Sequence, residues 1–348
     1  SSQMSASPPP TERSEGGNAS SWRPWGVGGT DIGAIVGLSP YKTVVDVWLE
    51  KTGSSTRSRG SSHVAQRLGS YLEPFVVEEY ERLSGNSCEA YDRPLLHPQY
   101  PELFGHVDRI ATVTSLPAGP TAGSGCCAKR VVLECKTSSA FRASEWGPTW
   151  SDQVPAEYLV QCLWYLGLSG LEEAHLAVLL GNTELRTYRI ARDEALERYL
   201  FEYAHRFWVD HVLSGVPPEP VTREGVESLH PKHTPGLTKE ADEALLGDLA
   251  RYAQLSQEIC GAKSELERLK DRLAVAMGPA ETLSFGGKTL ASWRSSKGAS
   301  RIDVERLRRE RPDVARDYTV SSPGGRRLLI APTSRPGQES TEDPRTNT

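Results

Sequence analysis

The chain has 348 residues, enough for one large core or two modest ones, with 37 % hydrophobic residues and a formal net charge of −5. That charge excludes a uniform polycation that coats nucleic acid, while leaving room for a locally basic groove beside catalytic carboxylates. No run approaches the roughly 18 apolar residues that span a bilayer and no basic start leads into an apolar stretch, so a cytoplasmic protein with no membrane partner is expected.

Residues 1–20 are rich in Ser, Pro, Gly and Glu, a composition that buries too little apolar surface to order itself. After Gly28-Gly29-Thr30-Asp31, the apolar residues Ile32, Ile35 and Val36 predict a helix that Gly37 and Pro40 end. A second helix is predicted from about Val44, with Val44, Val47 and Trp48 on one face. A Ser/Arg/Gly loop at 54–62 leads to a helical pattern over 64–84, through Leu68, Leu72, Phe75, Val76, Tyr80 and Leu83. The β-branched alternation of 104–114 and the apolar run 130–135 predict two strands of a hairpin, joined by a long loop of turn-formers. A helix over 155–167, a strand pair at 175–181 and 184–190, and a helix over 192–214 follow. The Val-Pro-Pro-Glu-Pro segment 216–220 marks a boundary.

Beyond it, Leu255, Ile259, Ala262, Leu266, Leu269, Leu273 and Ala276 alternate spacings of four and three within a predicted helix over 239–277. That is a heptad seam, open either to packing within its own domain or to a coiled coil with a partner or another subunit. A Gly-Gly hairpin at 283–293, a helix at 303–311 and a basic stretch at 297–331 complete this part. The expected organisation is a tail at 1–20, a domain at 21–220, an extension at 221–332 and a Pro/Ser/Thr/Glu-rich tail at 333–348. The cysteines (Cys88, Cys126, Cys127, Cys135, Cys162, Cys260) form no CxxC pair and are expected to be reduced, mostly packed thiols.

Chemistry is concentrated in one ordered set: Glu73 on a helix, Asp108 on a strand, Glu134-Cys135-Lys136 on the next strand, and Gln161 on the following helix. Phosphodiester hydrolysis needs an activated water and neutralisation of charge on the transition state, and hard oxygen ligands hold Mg²⁺ for both tasks. Asp108 and Glu134 supply such oxygens, the Cys135 carbonyl is available to the metal, and Glu73 completes the shell. Strand periodicity puts Lys136 on the face of Glu134, where it orients the water or stabilises negative charge. Trp146 and Trp150 follow closely, as a stacking wall for a base or as packing, and His175 and His205 read as packing or surface residues. The segment Gly26-Val27-Gly28-Gly29-Thr30-Asp31-Ile32-Gly33 lacks both the preceding strand and the spacing of a dinucleotide fingerprint, and the chain has no phosphate-loop Gly-Lys-Ser/Thr.

The layout resembles the lambda-exonuclease/YqaJ viral recombinase family of the PD-(D/E)xK nuclease superfamily. The resemblance rests on Gly28 to Ile35, Gly37-Leu38-Ser39-Pro40-Tyr41, Trp48 to Gly53, Gly69 with Glu73-Pro74, Gly105-His106-Val107-Asp108, Leu133 to Lys136, and Pro155, Tyr158 and Gln161. It spans about residues 22–212 and implies an α/β fold: a mixed sheet flanked by helices, here with a helical C-terminal extension. It further implies Mg²⁺-dependent 5′→3′ digestion of duplex DNA ends, with Mn²⁺ able to substitute, a homo-oligomer in the form of a toroidal trimer, and a single-strand annealing protein as partner. The family's 5′-phosphate pocket maps onto Arg23, Thr30, His106 and Gln161. Arg suits phosphate oxygens, Thr30 heads a helix whose N-terminus favours anions, and His106 stands where a small polar residue is usual. The chain departs from the family in the long step from Asp108 to Glu134. With only Cys260 beyond residue 162, it lacks the cysteines for the iron–sulfur cluster of some nuclease relatives. An endonuclease or nickase on the same core, and a non-catalytic DNA-binding assembly subunit, are the alternatives.

Overall fold

The computed structural model describes residues 25–54, 62–114, 128–296, 298, 302–321 and 326–330. Arg23, Cys126, Cys127 and most of the 115–129 insertion lie outside the described residues. The chain divides into two compact units, Ser1–Pro231 and Lys232–Thr348.

The first unit is built on a five-stranded sheet in the order β1-β4-β5-β6-β7, from Ser87–Ala90, Arg109–Thr114, Ala128–Ser138, Glu173–Leu180 and Glu184–Ala191. Three of the pairings are antiparallel, and β5 runs parallel to β6. That parallel step requires a crossover, which α4 (Ala156–Ser169) supplies. A short pair, β2 (Leu95–Leu96) and β3 (Phe104–Gly105), lies apart from this sheet.

Alternation along the strands fills both faces. Val132, Leu176, Val178, Tyr188 and Ile190 pack with α1 (Gly29–Ile35), α4 and α5 (Glu194–Phe207). Val131, Leu133, Ala177 and Leu179 pack against Val76, Val77 and Tyr80 of α3 (Ser62–Ser84). The expected mixed sheet flanked by helices is therefore what the chain forms.

Two element boundaries differ from expectation. The 104–114 segment is two strands, because β3 pairs with β2 while β4 begins at Arg109 opposite Leu133. Asp108 thus sits at the break, just before β4. The boundary expected at residue 220 falls later, because α6 (Arg223–Leu229) is N-capped by Thr222 and packs on α2 (Val44–Lys51) in the first unit. In the second unit, α7 spans Glu243–Met277, starting where Asp242 accepts from the Leu245 N–H. The hairpin of β8 (Thr282–Phe285) and β9 (Lys288–Ser292) and the short helices α8 (Val304–Glu310) and α9 (Pro312–Asp317) follow it. Among the described residues no helix is long and apolar enough to cross a membrane.

Gly26 ties the segment before α1 to the β3 region. Val27 N–H donates to the Glu102 carbonyl at 2.8 Å and Phe104 N–H to the Val27 carbonyl at 3.1 Å. A Cβ on Gly26 would lie 1.9 Å from the Glu102 carbonyl oxygen, a clash that only backbone movement relieves. Gly26→Ala is expected to cost about 2 kcal/mol, read as a lowered midpoint in urea with unchanged far-UV circular dichroism. An unchanged midpoint would show that this contact does not fix the segment.

Candidate active site

A cleft of about 450 Å³ opens between the N-terminal end of α1, α3, the β4–β5 junction and α4. Thr30, Glu73, His106, Asp108, Glu134, Cys135, Lys136 and Gln161 all line it, so the structure brings together every sequence-predicted site residue that falls among the described ones. Gly29 allows the close approach of α1 to α4, since a Cβ there would sit 2.6 Å from the Tyr165 ring.

The β4–β5 register pairs Arg109 with Leu133, and its next step sets Asp108 opposite Glu134. Asp108 Oδ2 accepts from the Cys135 backbone N–H at 2.7 Å, which locks the two chain segments together. Glu134 and Lys136 share a face, as period-two geometry requires, with Lys136 Nζ 2.6 Å from Glu134 Oε1. Gln161 Nε2 donates to that same oxygen at 2.8 Å and to the Tyr165 hydroxyl at 3.0 Å.

Glu134 is only 3 % exposed. Burial and the neighbouring Asp108 charge push its carboxyl up to about 8, against the pull of Lys136. Burial likewise raises Asp108, opposed by Lys136 and the Cys135 N–H. Lys136 feels burial against its ammonium, yet Glu134 and Asp108 hold it charged well above the ordinary lysine range. Glu134 Oε2 is buried with no hydrogen-bond partner. An orphaned carboxylate oxygen, beside a second carboxylate whose proximity penalises ionisation, fits a hard divalent cation. Among the described residues, no three His, Cys, Asp or Glu side chains already converge as a ligand cluster. As they stand, Asp108 and Glu134 would leave the rest of a cation's shell to backbone carbonyl or water oxygens, or to a carboxylate that turns toward them.

Glu73 is differently engaged: Arg109 Nη1 lies 3.1 Å from its carboxylate and also donates to the Asp108 carbonyl. Burial, then Asp108, raises Glu73 against this pairing. Thr30 is exposed at the start of α1. His106 Nε2 is buried and unpartnered, and burial pushes its imidazole below the ordinary value, toward the neutral form.

Of the two readings of Trp146, packing holds: it is buried and stacked on Tyr158 at 5.5 Å, with Tyr188 at 5.4 Å. Trp150 remains substantially exposed, its ring edge-on to His175. His175 is a buried packing residue between the Tyr80 hydroxyl (2.7 Å) and Glu173 (2.9 Å), and His205 pairs with Glu102 and stacks on Tyr100. The described cysteines are free thiols: Cys162 is buried, Cys88 and Cys135 half-buried, and Cys260 exposed.

Sequence reasoning missed Arg109, Tyr165 and a buried ion cluster around Asp31. Tyr165 stands four residues after Gln161 on one helix, a spacing that already places the two side by side. Asp31 lies at 2.7 Å from Lys51 and 3.1 Å from Lys42, and Lys42 reaches Glu50 at 2.6 Å. Burial opposes the Asp31 charge, but Lys51 and Lys42 override it and hold the carboxyl at about 2. The same carboxylate accepts from Gly28 N–H, so the cluster fixes the start of α1 at the rim of the cleft.

Asp31→Asn removes the charge opposite the buried Lys51 and is expected to cost about 3 kcal/mol at neutral pH. Because the folded carboxyl titrates below its ordinary 3.8, its contribution is full above that value and is lost as pH falls through about 2. The stability gap between wild type and Asp31→Asn should therefore close over that acid window in urea titrations. A gap independent of pH down to about 2 would exclude the ion-pair account.

The family model for the YqaJ-like viral recombinase domain matches residues 20–172. The chain is 30 % identical to YqaJ of Bacillus subtilis (strain 168), an uncharacterised protein, over 83 % of this chain and 86 % of that one. Among solved structures it is similar to an alkaline exonuclease from Laribacter hongkongensis, at 14 % identity and a TM-score of 0.41, covering 56 % of this chain and 93 % of that one. A phage-related exonuclease from Haemophilus somnus 129PT gives 15 % identity and a TM-score of 0.38, with 55 % and 96 % covered.

Proposed function

This chain belongs to the YqaJ-like viral recombinase family, and from that membership and the chemistry of its cleft we propose that it is a cytoplasmic, metal-dependent exonuclease. Its substrate is linear duplex DNA, digested 5′ to 3′ in phage-type recombination. The observation that carries the reading is the pair of half-buried Asp108 and buried Glu134, with Lys136 against it and Glu134 Oε2 unpartnered.

Asp108, Glu134 and the Cys135 carbonyl would hold the cation, with Glu73 completing the shell once its carboxylate turns from Arg109. A bound Mg²⁺, or Mn²⁺ in its place, supplies charge neutralisation at the scissile phosphate and activation of the attacking water. Gln161 holds Glu134 in its rotamer through one oxygen and leaves the other for the metal. Lys136 keeps its ammonium charged in the cleft, where it orients the water and offsets the negative charge that grows on the phosphoryl oxygens.

The rest of the cleft binds the end of the strand. Thr30 presents a hydroxyl beside the first N–H groups of α1, and His106, as a neutral imidazole, offers an unpaired ring nitrogen. Arg23 supplies the cationic fork for the 5′-phosphate. Gln161 borders the same pocket with its amide donors directed at Glu134 and Tyr165, so its part in phosphate binding is to shape the wall. The partners are duplex DNA ends, further copies of the chain in a trimeric ring, and a single-strand annealing protein.

Lys136→Ala is expected to lower kcat on linear duplex DNA with Mg²⁺ by roughly 10²- to 10³-fold while leaving DNA affinity nearly unchanged; unaltered turnover would remove Lys136 from the mechanism. The same assay with 5′-phosphorylated, 5′-hydroxyl and covalently closed duplexes should rank them in that order. Closed circles cut as fast as linear DNA would establish an endonuclease. Arg23→Ala should erase the preference for 5′-phosphate without abolishing hydrolysis, and a preference that survives would remove Arg23 from the pocket.

A further inference from the structure

The second unit leaves an apolar stripe in water. On α7, Tyr252, Leu255, Ile259, Leu266, Leu269 and Leu273 are all exposed, Ile259 at 55 % and Leu266 at 57 %. Among the described residues of that unit no helix or strand packs along this stripe, and Met277 at the end of α7 is the residue of the helix that is buried; the hairpin strands pair with each other and α8 with α9. A helix of 35 residues keeps this stripe on one side only if something supercoils against it, since a straight helix drifts out of a seven-residue repeat.

The flanking charges say what that partner is. With Tyr252, Ile259, Leu266 and Leu273 at the first core position of each heptad, Leu255, Ala262, Leu269 and Ala276 take the second. The positions just before the first core residues are Arg251, Glu258, Glu265 and Arg272, and those just after the second are Ser256, Lys263, Lys270 and Met277. In a parallel, in-register pair of identical helices these two sets face each other across the seam. Glu258 then meets Lys263 of the other copy and Glu265 meets Lys270, while Arg251 and Arg272 meet the neutral Ser256 and Met277. An antiparallel pair over the same stretch sets lysine against lysine and glutamate against glutamate. Among the described residues of one chain Glu258 takes a Gln254 amide and Lys270 the exposed Glu267, at 2.9 and 2.7 Å, contacts weak enough to exchange for pairs across a seam.

We propose that α7 forms a parallel, in-register coiled coil with the α7 of a second copy of this chain. Copies related by a rotation axis that runs along α7 keep these helices parallel, so the seam is compatible with a ring oligomer and does not depend on nuclease activity.

The test uses the full chain with Cys260→Ser as background, so that the exposed native thiol on α7 does not react. Ala262→Cys in that background places a thiol at a core position that faces its own counterpart only in the parallel, in-register arrangement. Mild oxidation should give a covalent pair on a non-reducing gel, at least 10-fold above the background protein. Adding Glu258→Lys/Glu265→Lys, or separately Lys263→Glu/Lys270→Glu, should each reduce cross-linking about 10-fold, with helix content by circular dichroism unchanged. Mixing these two charge variants, one carrying a size tag, should restore it between unlike chains. No cross-link with Ala262→Cys, a cross-link indifferent to charge reversal, or no rescue in the mixture would each overturn the proposal.

Discussion

The carboxylate of Glu134, buried beside that of Asp108, sets the conditions for the rest of the cleft. Two acids held together in a low-dielectric setting resist ionising, and Glu134 is driven to about 8 as a result. Three groups offset part of the cost: Lys136 and Gln161 converge on one oxygen of Glu134, and the Cys135 N–H binds Asp108. None of them reaches Glu134 Oε2. A fold selected for stability alone would fill such a place with apolar side chains, because buried ion pairs seldom repay their desolvation. The tension is resolved if the missing partner is a cation, which is the reading proposed for the site.

The scaffold around that pair is arranged to keep it in place without covering it. Asp108 stands at the break between β3 and β4, free of ladder pairing yet pinned by the next strand. The Trp164 indole donates to the Phe104 carbonyl and ties β3 to α4, the helix that carries Gln161 and Tyr165. On the opposite side Arg109 draws Glu73 toward the junction, and the Asp31 cluster fixes the start of α1. Each wall of the cleft is thus held by a polar contact to backbone or by a charge pair, buried at Asp31 and half-buried at Glu73, while apolar packing fills both faces of the sheet beneath.

Much of this was legible in the sequence, and the pattern of what was not has physical causes. Strands and helices followed from alternation and helical spacing, because both sheet faces are covered and burial leaves its period in the residues. The Glu134-Cys135-Lys136 triplet could be placed on one face for the same reason. The break before Asp108 left no mark, since β-branched residues continue through it and only the separate pairing of β3 reveals it. The partner of Glu73 was hidden as well: the contact to Arg109 joins residues 36 apart, and nothing local encodes it. The Asp31 cluster collects Lys42, Glu50 and Lys51 from the next helix and its approach, where each reads as an ordinary surface charge. Position in the chain reported secondary structure and which residues share a strand face; it did not report which charges the tertiary fold neutralises.

The second unit follows the opposite logic. In the first, apolar residues sit on two sheet faces and charge is confined to a cleft and its supports. In α7 the apolar residues keep a strict heptad order while remaining in water, and the charges beside them alternate by block. A solvated surface helix needs neither feature, since its stability draws on local propensity and close intrahelical pairs. Heptad order becomes informative only across an interface with another helix, and the sign pattern only when that helix has a defined direction. One chain therefore carries two separate specifications: a carboxylate pair whose proposed complement is a cation, and an exposed seam whose proposed complement is its own sequence.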